Sequence, residues 1–190
     1  MDRLVHIPYL ARMTQLTDTK QVSAAPRQSA RPNPAKVLRA IRKRSFATLS
    51  TTSQADRPHG AGVLYEAVGT TLYVNTLRTS RKARNVASNP HVAVCIPIRR
   101  LPVGPPSTVQ FQGTAEVLDL DDPDVISLVE SGRLKSITGH GELDDPDGCF
   151  LRITPNRKLI TYGLGMSLAS LIRDPLNAGG SIELGTEEDK

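Results

Sequence analysis

The segment Thr108–Leu118 alternates without interruption. Val109, Phe111, Gly113, Ala115 and Val117 fall on one parity, and Gln110, Gln112, Thr114 and Glu116 on the other. A period of two over this length defines a strand with one face buried and one face polar. Six shorter runs between turn signals read the same way: Ser45–Thr51, His59–Glu66, Thr71–Thr76, His91–Pro97, Gly148–Thr154 and Lys158–Tyr162. All three Phe and three of the four Tyr lie in these seven runs, as expected for residues that favour pleated surfaces. Helical stretches are few. Asn33-Pro34 supplies an N-cap and an N1 proline ahead of the Val37, Leu38, Ile41 stripe. Others are expected over Thr79–Ser88, from Asp122-Pro123 through Val129 to a stop at Gly132, and over Met166–Arg173, closed by Asp174-Pro175. Strands without regular βα alternation, and without an internal repeat, predict a mainly β protein with peripheral helices. Its sheet should be a closed antiparallel barrel rather than a parallel sheet.

With 190 residues and 38% hydrophobic content, one domain with a modest core is expected. Residues 34–186 are assigned to it, after an N-terminal arm over 1–33 and before an acidic tail over 187–190. The arm lacks sustained periodicity and reads as mobile or partner-clasping. It is Arg-bearing and poor in acids, as transit peptides are, but Asp2 and the interrupted pattern argue against that. No apolar run approaches a spanning helix, and no secretory signal core is present. Two cysteines make no disulfide scaffold, so a cytoplasmic location is expected. Charge is segregated: residues 35–105 carry twelve Lys/Arg against two acids, and 106–190 carry seven against fifteen. One half of the fold is built to meet anions. A nucleic-acid binder would more often be basic throughout, and one built on stacking would carry more aromatics than 4%, with no Trp at all.

The most informative stretch is Asn75-Thr76-Leu77-Arg78-Thr79-Ser80-Arg81-Lys82-Ala83-Arg84-Asn85. A strand ends near Thr76 and a helix starts at Thr79 or Ser80, with Arg81 and Lys82 in its first turn. Cations there oppose the positive end of the helix dipole. Such repulsion is tolerated most readily where an anion sits. Exposed N–H groups, the Thr76 and Ser80 hydroxyls and two cations make a phosphate cradle, which Asn85 would orient or cap; the alternative is a solvated basic helix.

The run Ser80-Arg81-Lys82-Ala83, followed by Asn89-Pro90 and a strand, resembles the flavin-phosphate segment of pyridoxamine 5′-phosphate oxidase. More broadly, Val37 to Leu118 resembles the FMN-binding split-barrel superfamily, including its deazaflavin-dependent branch. That span takes in Pro58-His59-Gly60 and Gln112-Gly113-Thr114-Ala115-Glu116-Val117. The resemblance implies a split β-barrel of the FMN-binding type, a homodimer with cofactor in a groove between subunits, and a phosphate held by Thr76, Ser80, Arg81 and Lys82. It further implies that the strand from Gly60 to Tyr65 lines the ring. Two departures count against vitamin B6 oxidation. The second strand reads Gly60-Ala61-Gly62-Val63-Leu64-Tyr65, without the oxidase's basic residues, and the oxidase's Trp-, Arg- and His-rich C-terminal signature is missing.

The cofactor implied is FMN or coenzyme F-420, whose acidic tail the basic segment, with Arg42-Lys43-Arg44 and Arg99-Arg100, would accept. The full candidate contact set is His59, Gly60, Ala61, Tyr65, Asn75, Thr76, Ser80, Arg81, Lys82, Asn85 and Gln112. Several have plainer readings. His59 is a ligand donor or a surface residue at a strand end, Tyr65 a stacking or a core residue, and Gln110 and Gln112 face a ring edge, water or a dimer partner. No catalytic acid or base stands out, and in this superfamily the cofactor carries the hydride chemistry. Gly165-Met166-Ser167-Leu168-Ala169 resembles a nucleophile elbow, but no His follows it. Asp144-Asp145-Pro146-Asp147-Gly148 fails the calcium-loop spacing and reads as a turn. The four His are scattered, no zinc spacing occurs, and Cys95 and Cys149 read as small core residues. His140 is the one loop candidate for an axial heme ligand. The expected function is a flavin- or deazaflavin-dependent oxidoreductase that passes hydride to a small organic acceptor. A non-catalytic flavin, F-420 or heme binder is the rival class, and a nucleic-acid binder a third.

Overall fold

The computed structural model describes residues 32–99, 107–139, 141 and 143–185. Most of the arm, the acidic tail, Arg100 and His140 lie outside the described residues.

The chain enters through α1 (Pro34–Arg42), whose cap is Asn33, as its sequence requires. The Asn33 side-chain oxygen accepts from the Ala35 and Lys36 N–H groups, and Pro34 occupies N1. Strands β1 (Phe46–Thr52), β2 (Pro58–Leu64), β3 (Glu66–Val68) and β4 (Thr71–Leu77) follow. After them come α2 (Arg81–Ser88), β5 (His91–Ile98), β6 (Ser107–Leu118), α3 (Pro123–Glu130), β7 (Gly148–Tyr162), α4 (Leu168–Arg173) and β8 (Gly179–Glu183). All pairings are antiparallel, in the order β2-β1-β5-β6-β7-β4-β3, with β8 added beside β7. The sheet curls into a split barrel.

Three features differ from the sequence reading. The runs at Gly148–Thr154 and Lys158–Tyr162 are one continuous strand. The run from His59 to Glu66 breaks at Tyr65 into β2 and β3. Strand β8 was not foreseen, because Gly179-Gly180-Ser181-Ile182-Glu183 has only one large apolar residue to mark a period.

The curl is produced where β6 meets β7. The first half of β7 pairs with β4 and its last five residues pair with β8, while β6 runs along both halves. Between the halves, Pro155 sits where neither outer neighbour needs an N–H, a position a proline tolerates. The register slips there, between Phe111 and Gly113, and such an irregularity bends a strand. Gly113 makes the slip possible, because a Cβ on it would collide with the Thr154 carbonyl oxygen.

The alternation along β6 holds as expected from Val109 to Ala115: Val109, Phe111 and Ala115 are buried while Gln110, Gln112, Thr114 and Glu116 are exposed. It fails at the end. Leu118 is buried on the opposite parity because a second core lies on the other face, formed by Tyr73, Leu118, Val125, Leu134, Ile137 and Phe150. Helix α3 supplies Val125 to it and is fastened by Arg152, which donates to Glu116 on β6 at 2.6 Å and to Asp124 on α3 at 2.8 Å. The main core fills the barrel. It takes Val37 and Ile41 from α1, Ala83 and Val86 from α2, and inward residues from most strands, including Leu49, Val94, Ile96, Leu151, Ile153 and Leu159. Among the described residues no helix is long and apolar enough to cross a membrane.

Gly113→Ala should force the β6–β7 backbones apart and lower unfolding free energy by about 2 kcal/mol or more in a urea titration, as overpacking does. Gly60→Ala, whose Cβ would meet nothing within 4 Å, should leave the midpoint nearly unchanged.

Candidate functional site

Helix α2 begins one turn beyond the end of β4. Ser80 is its N-cap, in extended conformation, and its Oγ accepts from the Ala83 N–H at 3.3 Å. The Thr76 hydroxyl donates to the same oxygen at 3.3 Å. With both acceptor positions of Ser80 Oγ filled, its own proton remains to donate outward. The first turn of α2 holds no acid. Arg81 is exposed, Lys82 is half-buried, and among the described residues neither has an ion-pair partner. The N–H groups of a helix's first turn have no intrahelical acceptors. Hydroxyl, backbone donors and two unpaired cations thus converge at one helix end, and the local chemistry fits a phosphate.

The loop carrying this end is clamped from the acidic half of the chain. The Thr79 backbone N–H and hydroxyl both donate to Asp147 Oδ2, the Arg78 N–H donates to the Asp147 carbonyl at 2.8 Å, and Arg78 pairs with Asp119. The Asp144–Gly148 segment is a turn, as its spacing indicated, with Asp145 Oδ1 accepting the Asp147 N–H. Sequence reasoning missed its role. The signal available was an aspartate directly before a strand, but its partner lies 68 residues away. Cys149, next in the strand, is fully buried, and burial pushes its thiol pKa up. Asp147 reinforces that shift, while Arg78 and Lys82 oppose it.

Tyr65 and Asn85 take the structural roles among the alternatives the sequence offered. Tyr65 is buried in the core and its hydroxyl donates to the Ile41 carbonyl at 2.8 Å. Burial raises its pKa well above the ordinary phenol range, with Arg44 nearby opposing the shift. It joins α1 to the sheet. Asn85 is buried too. Its side-chain amide donates to Thr51 Oγ1 at 2.9 Å, and that hydroxyl leans toward the His59 carbonyl at 3.5 Å. It holds the cradle helix against β1, as the orienting role read from the sequence requires. The strand from Gly60 onward does not line one surface, because β2 alternates: His59, Ala61 and Val63 turn inward, while Gly60, Gly62 and Leu64 are exposed. Asn75 is partly buried, on the parity of Tyr73 and opposite to Thr76, and its Nδ2 is buried without a hydrogen-bond partner.

Gln112 lies on the outer face of the sheet. There a groove of about 370 Å³ runs between Ser50, Ala93, Cys95, Gln110, Gln112, Asn156, Lys158 and Ile160. A second groove of about 360 Å³, reaching His91 and Thr52, shares Ser50, Ala93, Gln112 and Asn156 with it. Gln110 donates to Thr108 at 2.9 Å, whereas the Gln112 amide has no partner among the described residues. The structure therefore brings together Thr76, Ser80, Arg81 and Lys82, places Asn85 behind them, and puts Gln112 and Gly60 on a separate face. Ser167, in the elbow-like stretch, is the N-cap of α4 and accepts from the Ser170 N–H at 3.0 Å.

Residues 34–159, from α1 through the bend of β7, match the family model for pyridoxamine 5′-phosphate oxidase. The chain belongs to this family. No curated protein matches it by sequence. Among solved structures it is similar to HutZ, a heme storage protein from Vibrio cholerae, at 17% identity and TM-score 0.61, covering 70% of this chain and 96% of that one. It is similar to General Stress Protein 26 from Bacillus anthracis at 22% identity and TM-score 0.55, covering 79% and 97%. It also resembles an FAD-binding protein from Mesorhizobium loti at 18% identity and TM-score 0.52, covering 65% and 88%. At these identities the shared property is the fold.

Two outcomes check these placements. Tyr65→Phe should cost about 1 kcal/mol of stability, the worth of one hydrogen bond, and leave anion binding at the cradle unchanged. A thiol reagent should leave Cys149 unlabelled until the protein unfolds in urea.

Proposed function

We propose that the protein is an oxidoreductase that seats a flavin-type cofactor, FMN or coenzyme F-420, by its phosphate on the N-terminus of α2. The observation that carries this reading is the pair Arg81 and Lys82, unpaired in a first turn without acids, beside a Ser80 hydroxyl whose acceptor positions are already filled. Membership of the family supports it. Such a cofactor, when bound, supplies hydride transfer to a small organic acceptor. The protein's own residues hold and orient it. Ser80 and the first-turn N–H groups donate to the phosphate, and Arg81 and Lys82 neutralise it. Asn85 and Asp147 hold the helix and its loop in place, and Thr76 fixes the Ser80 rotor.

We also propose that the protein works as a homodimer whose second copy covers the outer face of β1, β5 and β6 around Ser50, Ala93 and Gln112, leaving the Phe46 end of β1 open. The centre of that face carries Thr48, Ser50, Ala93, Cys95, Gln110 and Gln112, none of them charged, with Glu116 and Lys158 toward its edges. Core interface patches are depleted in charge in this way. Gln110→Arg should shift the sedimentation coefficient toward that of a monomer.

Titration of the purified protein with FMN and with F-420, followed by absorbance, tests the cofactor. Saturable binding of one is expected, and Arg81→Ala/Lys82→Ala should weaken it at least about a hundredfold. That magnitude follows because each charged hydrogen bond contributes about 1.5–3 kcal/mol. Affinity for both cofactors that is absent in a folded wild-type protein, or undiminished in the variant, would overturn the reading. Heme, which HutZ stores by its description, and nucleic acid would then be assayed. A bound cofactor that passes hydride to no acceptor would favour a binding role over a catalytic one.

A further inference from the structure

A second cationic concavity lies where α1 passes into β1. Lys43, Arg44, Ser45, Phe46, Pro97 and Arg99 enclose a groove of about 320 Å³, the low end of the range for small-molecule sites. It shares no residue with the cradle. Two features make it more than a solvated basic turn. Its cations are not matched by acids: no carboxylate lines it, and among the described residues Lys43, Arg44 and Arg99 form no ion pair. Arg44 is instead held by backbone, its Nη2 donating to the Arg99 carbonyl at 3.0 Å, which fixes the guanidinium at the rim. The second feature is the aromatic ring. Phe46 is 47% exposed, yet it is seated: Gly62, beside it on β2, leaves the space its ring occupies, and a Cβ there would lie 3.0 Å from Phe46 Cε2. Exposing a phenyl ring to water costs free energy that burial under a ligand would recover.

A ring flanked by cations in a single small concavity matches a ligand with a flat apolar body and an anionic group. A polyanion would instead call for cations strung along a surface, without a ring. We infer that this groove binds a planar aromatic carboxylate, the ring stacking on Phe46 and the carboxylate paired with Lys43, Arg44 and Arg99. Bidentate geometry at a guanidinium suits a carboxylate, and this reading gives Lys43, Arg44 and Arg99 a ligand other than the F-420 tail expected from the sequence.

The full-length protein, titrated with 2-naphthoate, tests this directly. The chain has no Trp, so naphthoate fluorescence is read without an indole background. Saturable binding is expected, with the neutral 2-naphthalenemethanol at least about tenfold weaker, the difference one charged contact makes. Lys43→Gln/Arg99→Gln should lower naphthoate affinity by about tenfold or more, and Phe46→Leu by several-fold. Both changes are at exposed positions, and circular dichroism confirms the fold of each variant. Arg81→Ala/Lys82→Ala should leave naphthoate affinity unchanged, which separates failure of this site from failure of the cradle. Absence of saturable binding, equal affinity for the neutral analogue, full displacement by equimolar inorganic phosphate, or indifference to Phe46→Leu would each overturn the assignment.

Discussion

The close approach of β6 to β7 at Gly113 and Thr154 governs the architecture. Two backbones that near each other leave no room for a side chain, and the register slip they share turns β7 from β4 toward β8. A straight β7 would keep its two halves in one plane, and the sheet would expose the apolar parity that the barrel encloses. Because the sheet curls, one main core gathers residues from seven of the eight strands and from two helices that pack over the curl. The second core is smaller and lies on the other side of β4, β6 and β7. There α3 is fastened by charge pairs at its rim as well as by apolar burial.

The candidate site inherits its geometry from that arrangement. Helix α2 packs Ala83 and Val86 into the barrel and ties itself to β1 through Asn85 and Thr51, which leaves its N-terminus pointing away from the core. Cations at a helix N-terminus repel the helix dipole, so Arg81 and Lys82 destabilise α2 in the absence of an anion. The Asp147 clamp on Thr79 offsets part of that by adding negative charge behind the loop. The acidic half of the chain therefore supports the basic half at the point where the latter is least comfortable.

Family membership and structural likeness bear on this site unequally. The fold is shared with proteins described as storing heme and as binding FAD, so the barrel alone does not select a ligand. Selection falls to local chemistry, and here that is the cradle at α2, the polar outer face around Gln112 and the cationic groove beside Phe46.

Local signals in the chain determined most of the elements. The period of two along β6, the Asn33-Pro34 and Asp122-Pro123 caps, and Ser80 ahead of two cations can all be read residue by residue, because each depends on neighbours within a few positions. Strand β8 was not legible, since its glycines carry no pattern and its place depends on the bend of β7. For Tyr65 and Asn85 the sequence offered a structural role beside a ligand-facing one without deciding between them. Their partners, Ile41 and Thr51, lie 24 and 34 residues away, and only the folded chain shows that their hydrogen bonds are already made. The same holds for Asp147, and for the division of His59, Gly60 and Ala61 between two faces. Composition and spacing say which groups a segment carries. Which of those groups remain free to meet a ligand is decided by tertiary packing, because a donor or cation already bonded within the fold has nothing left to offer.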